Sequence, residues 1–309
     1  MQAEELFDVV IVGGGPAGLS AALVLGRACR RVLVYDAGNP RNARSRAVHG
    51  FLTRDGVFPG DLLAVAREQL RPYAVEIRDA TVMSICPENG CFRITISDGS
   101  GVLSRKVLLA TGVVDRLPPL EGIQDLYGKS VHHCPYCDGW EHRDKPLAVY
   151  GRASAGAALA LSMKTWSRDV VLCSDGPARL RDAERKLLSD NKILLHEQRI
   201  KRLEGSGGLL ENIVFEDGKT LSRSALFFGT GNLQRSELPV DLGCSLTPKG
   251  AVRTGKHQES NVRGVYVAGD ACFDAQYVIV AAAEGAKAAM AINAALQEDD
   301  GNSIHRLRL

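Results

Sequence analysis

Short apolar runs alternate with helical patterns at the start of the chain. Phe7 to Val12 is a continuous apolar run of strand length, Ala17 to Leu25 is rich in alanine and leucine, and Val32 to Tyr35 is a second apolar run. Continuous apolar strands are typical of parallel sheets that are covered on both faces, and a helix is the usual crossover between two such strands. The pattern therefore predicts a βαβ unit and an α/β fold.

The same unit returns in the middle of the chain. An apolar strand at Leu147 to Tyr150 is followed by an Ala/Leu-rich helix at 157–161 and by a further strand at 170–172. A shorter pattern, an apolar strand that ends in Thr-Gly, also occurs twice, at 107–112 and at 225–231. The repeated half-size unit, without a solenoid period, indicates two related nucleotide-type domains.

These repeats predict two Rossmann-like dinucleotide-binding domains of three-layer ββα architecture, with the second domain inserted into the first. The predicted boundaries are residues 1–116 for the first part of the outer domain, 117–242 for the inserted domain and 243–309 for the return. The return contains a strand near 262–268 and a long helix at 278–296, and it ends in a polar C-terminal tail.

Composition narrows the classes of function. The 309 residues are 45% hydrophobic and 24% charged, an ordinary globular composition that excludes a disordered or fibrous chain. Lys and Arg number 38 against 36 Asp and Glu, so no basic surplus favours a nucleic-acid or anionic-membrane partner. The uncharged stretch from Val9 to Gly26 is long enough to span a bilayer, but glycines and a proline interrupt it, and a soluble βα unit is the better interpretation.

Cysteine usage and the first residues predict the compartment. The chain begins with acidic residues at Glu4 and Glu5, where a secretory signal would carry basic ones. Eight cysteines are few for this length, and Cys29, Cys173 and Cys244 stand singly in apolar stretches. Such spacing does not predict a disulfide framework, and the reducing cytoplasm is the expected location.

A glycine-rich turn joins the first strand to the first helix. Gly13, Gly15 and Gly18 have the spacing Gly-x-Gly-x-x-Gly, and Asp36 ends the next strand. In this arrangement the first glycine permits a tight turn, the second admits a pyrophosphate close to the backbone, and the third lets the helix pack closely on the strand. The helix N-terminus attracts the phosphates, and the carboxylate accepts hydrogen bonds from a ribose. The combination predicts an FAD or NAD site.

The most informative segment is the motif Cys134-x-x-Cys137, which lies among His132, His133 and His142. One interpretation is a zinc site, but a structural zinc commonly takes a second Cys-x-x-Cys or a spaced pair of histidines, and the sequence has neither. A second interpretation is a glutaredoxin-like domain, whose redox motif is also Cys-Pro-Tyr-Cys, although that family carries it near the start of a short chain. The third is a disulfide that exchanges electrons with a flavin, and it alone uses both the thiols and the nucleotide site.

Four ordered motifs resemble the low-molecular-weight thioredoxin reductases and their relatives among the FAD-dependent pyridine nucleotide-disulfide oxidoreductases. The resemblance covers nearly the whole chain and rests on the glycine-rich turn at 13–18, a strand ending at 110–112, the segment 134–139 and the segment 267–270. It implies an FAD domain that is split by an inserted domain carrying the redox cysteines. It also implies a homodimer, and a thioredoxin-like protein or a small dithiol or disulfide as the partner.

The resemblance further implies roles for single residues. Cys137 faces the flavin, Cys134 exchanges with the partner, and Asp138 is the acid or base that moves the proton. Asp270 holds the ribitol of FAD, and no metal is expected. The implied cofactor contacts lie along the first glycine turn, at two strand ends and at the start of the last helix: Gly13, Gly15, Pro16, Ala17, Gly18, Asp36, Thr111, Gly112, Gly269, Asp270 and Tyr277.

The chain departs from this family at the second glycine turn. NADPH-using relatives carry Gly-x-Gly-x-x-Gly or Gly-x-Gly-x-x-Ala there, but Arg152 and Ala153 follow Gly151 in this chain. The relatives also end the next strand with a His-Arg-Arg run for the 2′-phosphate, where this chain has Asp175, whose carboxylate would repel a phosphate. NADPH is therefore not expected, and NADH binding or an unused βαβ scaffold are the open alternatives. Tyr277 stands where relatives carry an Arg-Gln pair, and both stacking on the flavin and filling of the core are open for it.

The leading hypothesis is a flavoenzyme of the EC 1.8 class. It moves two electrons between FAD and the Cys134–Cys137 disulfide and on to the partner, with NADH, ferredoxin or an unrecognised molecule as the donor. The second hypothesis is a dithiol oxidase, which closes a small-molecule dithiol and passes the electrons from the flavin to oxygen. The non-enzymatic alternative is a flavin-binding redox sensor whose dithiol state controls a partner.

Overall fold

The computed structural model describes residues 5–272 and 275–301 and divides into two compact units. Unit 1 comprises Met1–Ala43, Pro59–Val114 and Leu233–Leu309, and unit 2 comprises Arg44–Phe58 and Asp115–Asn232. The predicted α/β class, with two Rossmann-like units built on parallel sheets, is confirmed. The first residues of the chain and most of the predicted C-terminal tail, 302–309, lie outside the described residues.

Strands and helices alternate through both units. The strands are β1 (Leu6–Val12), β2 (Val32–Asp36), β3 (Val75–Asp79), β4 (Val82–Glu88), β5 (Cys91–Ile96), β6 (Gly101–Leu109), β7 (Val113–Asp115), β8 (Val131–His132), β9 (Leu147–Tyr150), β10 (Val170–Cys173), β11 (Leu194–His196), β12 (Ile200–Ser206), β13 (Leu209–Phe215), β14 (Thr220–Ser222), β15 (Ala225–Phe228), β16 (Asn232–Gln234) and β17 (Val265–Val267). The helices are α1 (Pro16–Arg27), α2 (Pro59–Glu68), α3 (Ile123–Leu126), α4 (Pro135–Asp138), α5 (Ala153–Met163), α6 (Asp182–Asp190), α7 (Leu238–Asp241) and α8 (Val278–Asp299). Short 3₁₀ turns occur at Trp140–His142 and Gly269–Ala271.

Unit 1 is built on a sheet with the order β3-β2-β1-β6-β5-β4, and β17 also pairs with β6. Strands β1, β2, β3, β6 and β17 run parallel, whereas β4 and β5 form an antiparallel hairpin that continues onto the first half of β6. Because β1, β6 and β17 are neighbours in register, the loops that follow them emerge at one edge of the sheet. The candidate cofactor residues predicted after these three strands are therefore brought together.

Helix α8 packs against α1 through small residues. Its buried positions recur at helical spacing: Ala281, Glu284, Gly285, Ala288, Ala289, Ile292 and Leu296. A Cβ atom at Gly285 would lie 2.0 Å from the carbonyl oxygen of Ala17, so only glycine permits this approach. Within the described part of the chain, α8 is the one helix long and apolar enough to cross a bilayer, by length and composition only. In this structure one face of α8 packs against α1, and 33% of its most apolar window is buried.

Unit 2 is built on a parallel sheet with the order β11-β10-β9-β15-β8. Unit 2 has three layers because the side chains of β15 point alternately to opposite faces of this sheet, and each face is covered. Leu226 and Phe228 pack with the antiparallel sheet β12-β13-β14, while Ala225 and Phe227 pack in the cluster that contains helix α5. Helix α4 follows β8 and the second glycine turn follows β9, so both lie at the carboxyl edge of this sheet.

The division differs from the predicted boundaries in two places. Residues 44–58 belong to unit 2, where Arg44 Nη1 donates a hydrogen bond to the carbonyl of Gln124 at 2.6 Å. The return to unit 1 begins at Leu233 rather than at residue 243, because Leu238 packs into the core of unit 1. Both differences arise from contacts between residues far apart in the chain, which local composition does not indicate.

Candidate functional site

The first glycine turn has the shape that the sequence predicts. Gly13 has φ +113°, and a Cβ atom there would lie 2.3 Å from the carbonyl oxygen of Ala110. A Cβ atom at Gly18 would lie 1.9 Å from the carbonyl oxygen of Gly13. Gly15, in contrast, caps α1 with no described atom within 4 Å of an added Cβ. Gly13 and Gly18 thus serve the fold, while Gly15 leaves an open approach to the helix N-terminus.

No side chain in the described residues caps the N-terminus of α1. Pro16 occupies its first turn, where the missing N–H of proline costs nothing, and Ala17 follows as a buried residue against α8. The remaining N–H groups of the first turn and the positive end of the helix dipole favour an anion. A pyrophosphate fits this position.

A buried hydroxyl supports the fit of a larger cofactor in unit 1. Thr111 Oγ1 is buried, and no described residue gives it a hydrogen-bond partner. Gly112 follows with φ +66°, and Gly269, after β17, has φ +79° and donates its N–H to Glu284 Oε2 at 2.7 Å. A bound ligand with hydrogen-bonding atoms would give this buried polar atom the partner that it lacks.

Both predicted cofactor carboxylates are paired with arginines that sequence reasoning missed. Asp36 accepts a hydrogen bond from Arg67 Nη2, on the last turn of α2. Asp270 accepts a hydrogen bond from Arg41 Nη1 at 2.7 Å, and the same nitrogen donates to Gln276 Oε1 at 2.9 Å. Each arginine is far from its carboxylate in the chain, so no sequence pattern predicts these pairs.

Tyr277 is placed by the structure at the start of α8. It caps the helix with extended backbone, and its side chain is partly exposed. Residues 273–274, which precede it by a few positions, lie outside the described part of the chain. The choice between stacking on the flavin and filling of the core therefore stays a prediction.

The two cysteines of the motif form a disulfide in unit 2. Cys134 and Cys137 are joined across the start of α4, with their Cα atoms 5.3 Å apart. Cys134 is also the N-cap of this short helix, because its Sγ accepts a hydrogen bond from the N–H of Cys137 at 3.1 Å. Both cysteines are partly exposed. A disulfide in this position is accessible to thiol exchange.

Asp138 is connected to two histidines. Its Oδ1 lies 3.3 Å from His132 Nδ1, and His132 Nε2 lies 3.0 Å from His142 Nε2. The ring of Phe227 packs on both histidines, with centroid distances of 5.4 Å to His132 and 6.2 Å to His142. Burial is the main cause that lowers the pKa of His142 to about 4, and the charge of His132 lowers it further. Among the described residues, no cluster of three or more His, Cys, Asp or Glu is arranged to hold a metal ion.

Exposed aromatic side chains lie close to the disulfide along the chain. Tyr136 is 74% exposed and lies edge-on to Trp166, with ring centroids 5.5 Å apart. Trp140 is 64% exposed, and the guanidinium of Arg143 lies 4.1 Å above its ring. Large exposed aromatic side chains are enriched at binding surfaces, where they supply contact area at low entropic cost. This surface is a candidate contact for the partner of the dithiol.

The second glycine turn is held by its own arginine. Arg152 Nε donates to the carbonyl of Ser174 at 2.6 Å, and its Nη2 donates to the carbonyl of Asp175. Asp175 Oδ1 accepts the N–H of Ile200 at 2.9 Å, and Arg199 Nη1 lies 3.7 Å from Asp175 Oδ2. The pocket beside this turn has a volume of about 230 Å³, below the roughly 300–1,000 Å³ of common ligand sites. Asp175 is therefore engaged by the protein itself.

Comparison with known proteins finds similarity to one family over most of the chain. The family described as "Pyridine nucleotide-disulphide oxidoreductase" matches residues 7–291. A "Probable thioredoxin reductase" of Arthroderma benhamiae is 33% identical over 303 residues, covering 87% of this chain and 74% of the relative. "Thioredoxin reductase aclD" of Aspergillus oryzae is 30% identical over 311 residues, covering 96% and 99%. The crystal structure of an oxidoreductase from Agrobacterium tumefaciens superposes with a TM-score of 0.89 at 30% identity, covering 94% of this chain and 99% of the other.

Proposed function

The chain belongs to the pyridine nucleotide-disulphide oxidoreductase family and is a thioredoxin reductase-like oxidoreductase, and from this premise we propose that it binds FAD and passes two electrons between the flavin and the Cys134–Cys137 disulfide. The observation that carries the proposal is the disulfide at the start of α4, exposed to exchange and followed directly by Asp138. A thioredoxin-like protein or a small dithiol is the proposed partner. A homodimer is the proposed assembly.

The residues of unit 1 fit FAD. The open N-terminus of α1 at Gly15 and Pro16 would hold the pyrophosphate, and Thr111 Oγ1 would gain the hydrogen-bond partner that the described residues do not give it. Asp36 would take the adenosine ribose and Asp270 the ribitol, since each carboxylate retains acceptor positions beside its arginine. When bound, the flavin supplies two-electron exchange with a disulfide, which protein side chains alone do not provide.

The dithiol carries the electrons to the partner by thiol exchange. In the reductase direction, the Cys134 thiolate attacks the disulfide of the partner, a bond forms between the two sulfurs, and the second sulfur of the partner leaves as a thiolate that takes a proton. Cys137 then attacks Cys134, the mixed disulfide breaks, and the reduced partner departs. Asp138, next to Cys137, accepts the proton from the attacking thiol and returns it to the leaving sulfur.

The second glycine turn is the basis for the proposed electron donor. The contacts of Arg152 with Ser174 and Asp175 support the proposal that this turn does not take NADPH, because the carboxylate of Asp175 lies where a 2′-phosphate would need a cation. NADH, ferredoxin or another reductant is the proposed donor. The same contacts favour the second candidate function, a dithiol oxidase, because a dithiol that donates electrons through Cys134 needs no pyridine nucleotide.

An anaerobic titration of the purified protein tests the proposal. We expect a yellow protein whose flavin absorbance is bleached by a small dithiol and not by low concentrations of NADPH. Cys137→Ser removes the bleaching by dithiol, whereas Cys86→Ser, which changes an exposed thiol on β4, does not. A colourless protein that takes up no added FAD contradicts the proposal, and rapid bleaching by NADPH contradicts the proposed donor.

Admission of air separates the two candidate functions. After bleaching by a dithiol, an oxidase re-oxidises rapidly, releases peroxide and leaves the dithiol closed as a disulfide. A reductase re-oxidises slowly in air and rapidly when an oxidised thioredoxin-like protein is added.

A further inference from the structure

Two buried histidines behind the disulfide have no role in the function as proposed so far. His132 ends β8, two residues before Cys134, and His142 ends the 3₁₀ turn that follows α4. Both are buried, and the side chain of Asp138 is 19% exposed. The contacts of 3.3 Å between Asp138 Oδ1 and His132 Nδ1 and of 3.0 Å between the two histidines therefore form a row that runs from the dithiol helix into the core of unit 2.

The protonation of this row follows from its donors and acceptors. The contact of 3.0 Å between the two Nε2 atoms requires one ring to donate and the other to accept. His142 Nδ1 is buried and has no partner among the described residues, and an orphaned lone pair is more readily tolerated there than an orphaned N–H. His142 therefore carries its proton on Nε2 and donates to His132 Nε2. His132 then carries its proton on Nδ1, which faces the carboxylate of Asp138 at 3.3 Å.

The surroundings keep the row in this state. The charged groups that face His142 are His132, Lys145, Arg46 and Asp138. Burial is the main cause that lowers the pKa of His142 to about 4; Lys145 and Arg46, and His132 whenever it is charged, lower it further, and Asp138 acts in the opposite direction. His142 is thus a neutral hydrogen-bond donor at any pH well above that value.

We propose that His132 and His142 are positioning residues for Asp138, and that their row directs the Nδ1–H of His132 at its carboxylate and so orients it while the disulfide is closed. The inference rests on the proposed function, because it concerns the proton that Asp138 accepts there. In that step an incoming thiol loses its proton to the carboxylate, its sulfur keeps the electron pair and bonds to Cys134, and Cys137 leaves as a thiolate. A hydrogen bond donated to a carboxylate favours the charged form, so loss of the row shifts the step to higher pH.

The test is the pH profile of disulfide opening in the full-length protein. Dithiothreitol opens the Cys134–Cys137 bond, and the reaction is quenched by alkylation and followed by mass spectrometry. Rates are divided at each pH by those of dithiothreitol with a small-molecule disulfide, so that the ionisation of dithiothreitol cancels, and His257→Gln, an exposed histidine of unit 1, is the control variant. We assign to Asp138 the fall in rate at low pH that Asp138→Asn removes, and this part of the profile is called the acidic limb.

We expect His142→Phe to move this limb up by about one pH unit, a roughly tenfold loss of rate on the limb. His142→Gln keeps a donor near the position of Nε2 and is expected to restore the profile. In the Asp138→Asn background, His142→Phe is expected to add nothing. An unchanged profile in His142→Phe, a shift that persists without Asp138, or no Asp138-dependent limb overturns the proposal.

A second measurement uses the unaltered protein, in case His142→Phe does not fold. Ring nitrogen NMR signals of ¹⁵N-histidine protein are expected to show Nε2–H for His142 and Nδ1–H for His132, and the opposite tautomers overturn the proposal. Both experiments report on the dithiol without a flavin or an electron donor. Failure of the proposed function would appear instead as absent flavin uptake, with the Asp138 limb intact.

Discussion

At the scale of single residues, Arg152 holds the second glycine turn in place. Its guanidinium satisfies the carbonyls of Ser174 and Asp175, which follow β10. The sequence predicted that Arg152 and Asp175 are unfavourable for NADPH, one through its bulk and one through its charge. It did not predict that the two residues contact each other, because they are separated by a helix and a strand.

Removal of Arg152 should therefore change the affinity of this turn for NADH relative to NADPH. We expect Arg152→Ala to free Asp175 for a ribose hydroxyl and to tighten NADH binding by about tenfold, roughly one hydrogen bond to a charged group. NADPH binding should stay weak, because Asp175 still repels its 2′-phosphate. Fluorescence titration of both nucleotides measures the effect, and Arg199→Ala, which removes a more distant and exposed cation, is the control. Equal tightening of both nucleotides would show that Asp175 does not select between them.

The cysteines show where sequence reasoning succeeds at this scale and where it stops. Cys134 and Cys137 were predicted to form a redox pair because only a disulfide that exchanges electrons with a flavin uses both the Cys-x-x-Cys motif and the nucleotide site, and the structure has them as a disulfide. The row formed by Asp138, His132 and His142 was missed. Sequence shows these residues near one another, but only the fold shows that the side chains point toward each other.

At the scale of elements, apolar runs predicted the parallel strands and the main helices. The helix predicted at 278–296 is observed as Val278–Asp299, and the first βαβ unit has the predicted order. The antiparallel sheet β12-β13-β14 was not predicted, because β12 and β14 contain few buried residues and the continuous apolar run of β13 is short. Hydrophobic periodicity thus identifies fully buried elements better than half-exposed ones.

The contact of α8 with α1 gives a prediction at this scale. We expect Gly285→Ala to destabilise unit 1 by about 1–3 kcal/mol, because the added methyl meets the backbone of Ala17 and the two helices must move apart. Thermal unfolding measures the effect, with Lys287→Ala at an exposed position of the same helix as the control. The better helix propensity of alanine alone would raise stability. A measured rise would therefore contradict the close contact between the two helices.

At the scale of the whole molecule, the two units divide the chemistry between them. The residues proposed to hold FAD lie in unit 1, whereas the disulfide, Asp138 and the second glycine turn lie in unit 2. The sequence predicted this division from its repeated βαβ pattern. The contacts that assign the segment 44–58 to unit 2 are formed with residues distant in sequence, which a local pattern does not contain.

Hydrogen exchange can test the division directly. FAD at about 100 times its dissociation constant should slow amide exchange roughly 100-fold in the segments 13–18, 110–112 and 269–272. Reduction of the disulfide should instead change exchange in the segment 134–142. Strands β12 to β14 are the internal reference. Strongest protection by FAD at the second glycine turn, 151–156, would place the cofactor in the other unit.

The split of unit 1 into three segments has a consequence for biosynthesis. Strand β17, Gly269 and Asp270 come from the last part of the chain, yet they complete the edge of the sheet that begins with β1 and β6. A ribosome must therefore translate the chain at least as far as Asp270 before the cradle proposed for FAD is whole. Until then the nascent polypeptide exposes the open side of β6, and flavin capture has to wait for the third segment.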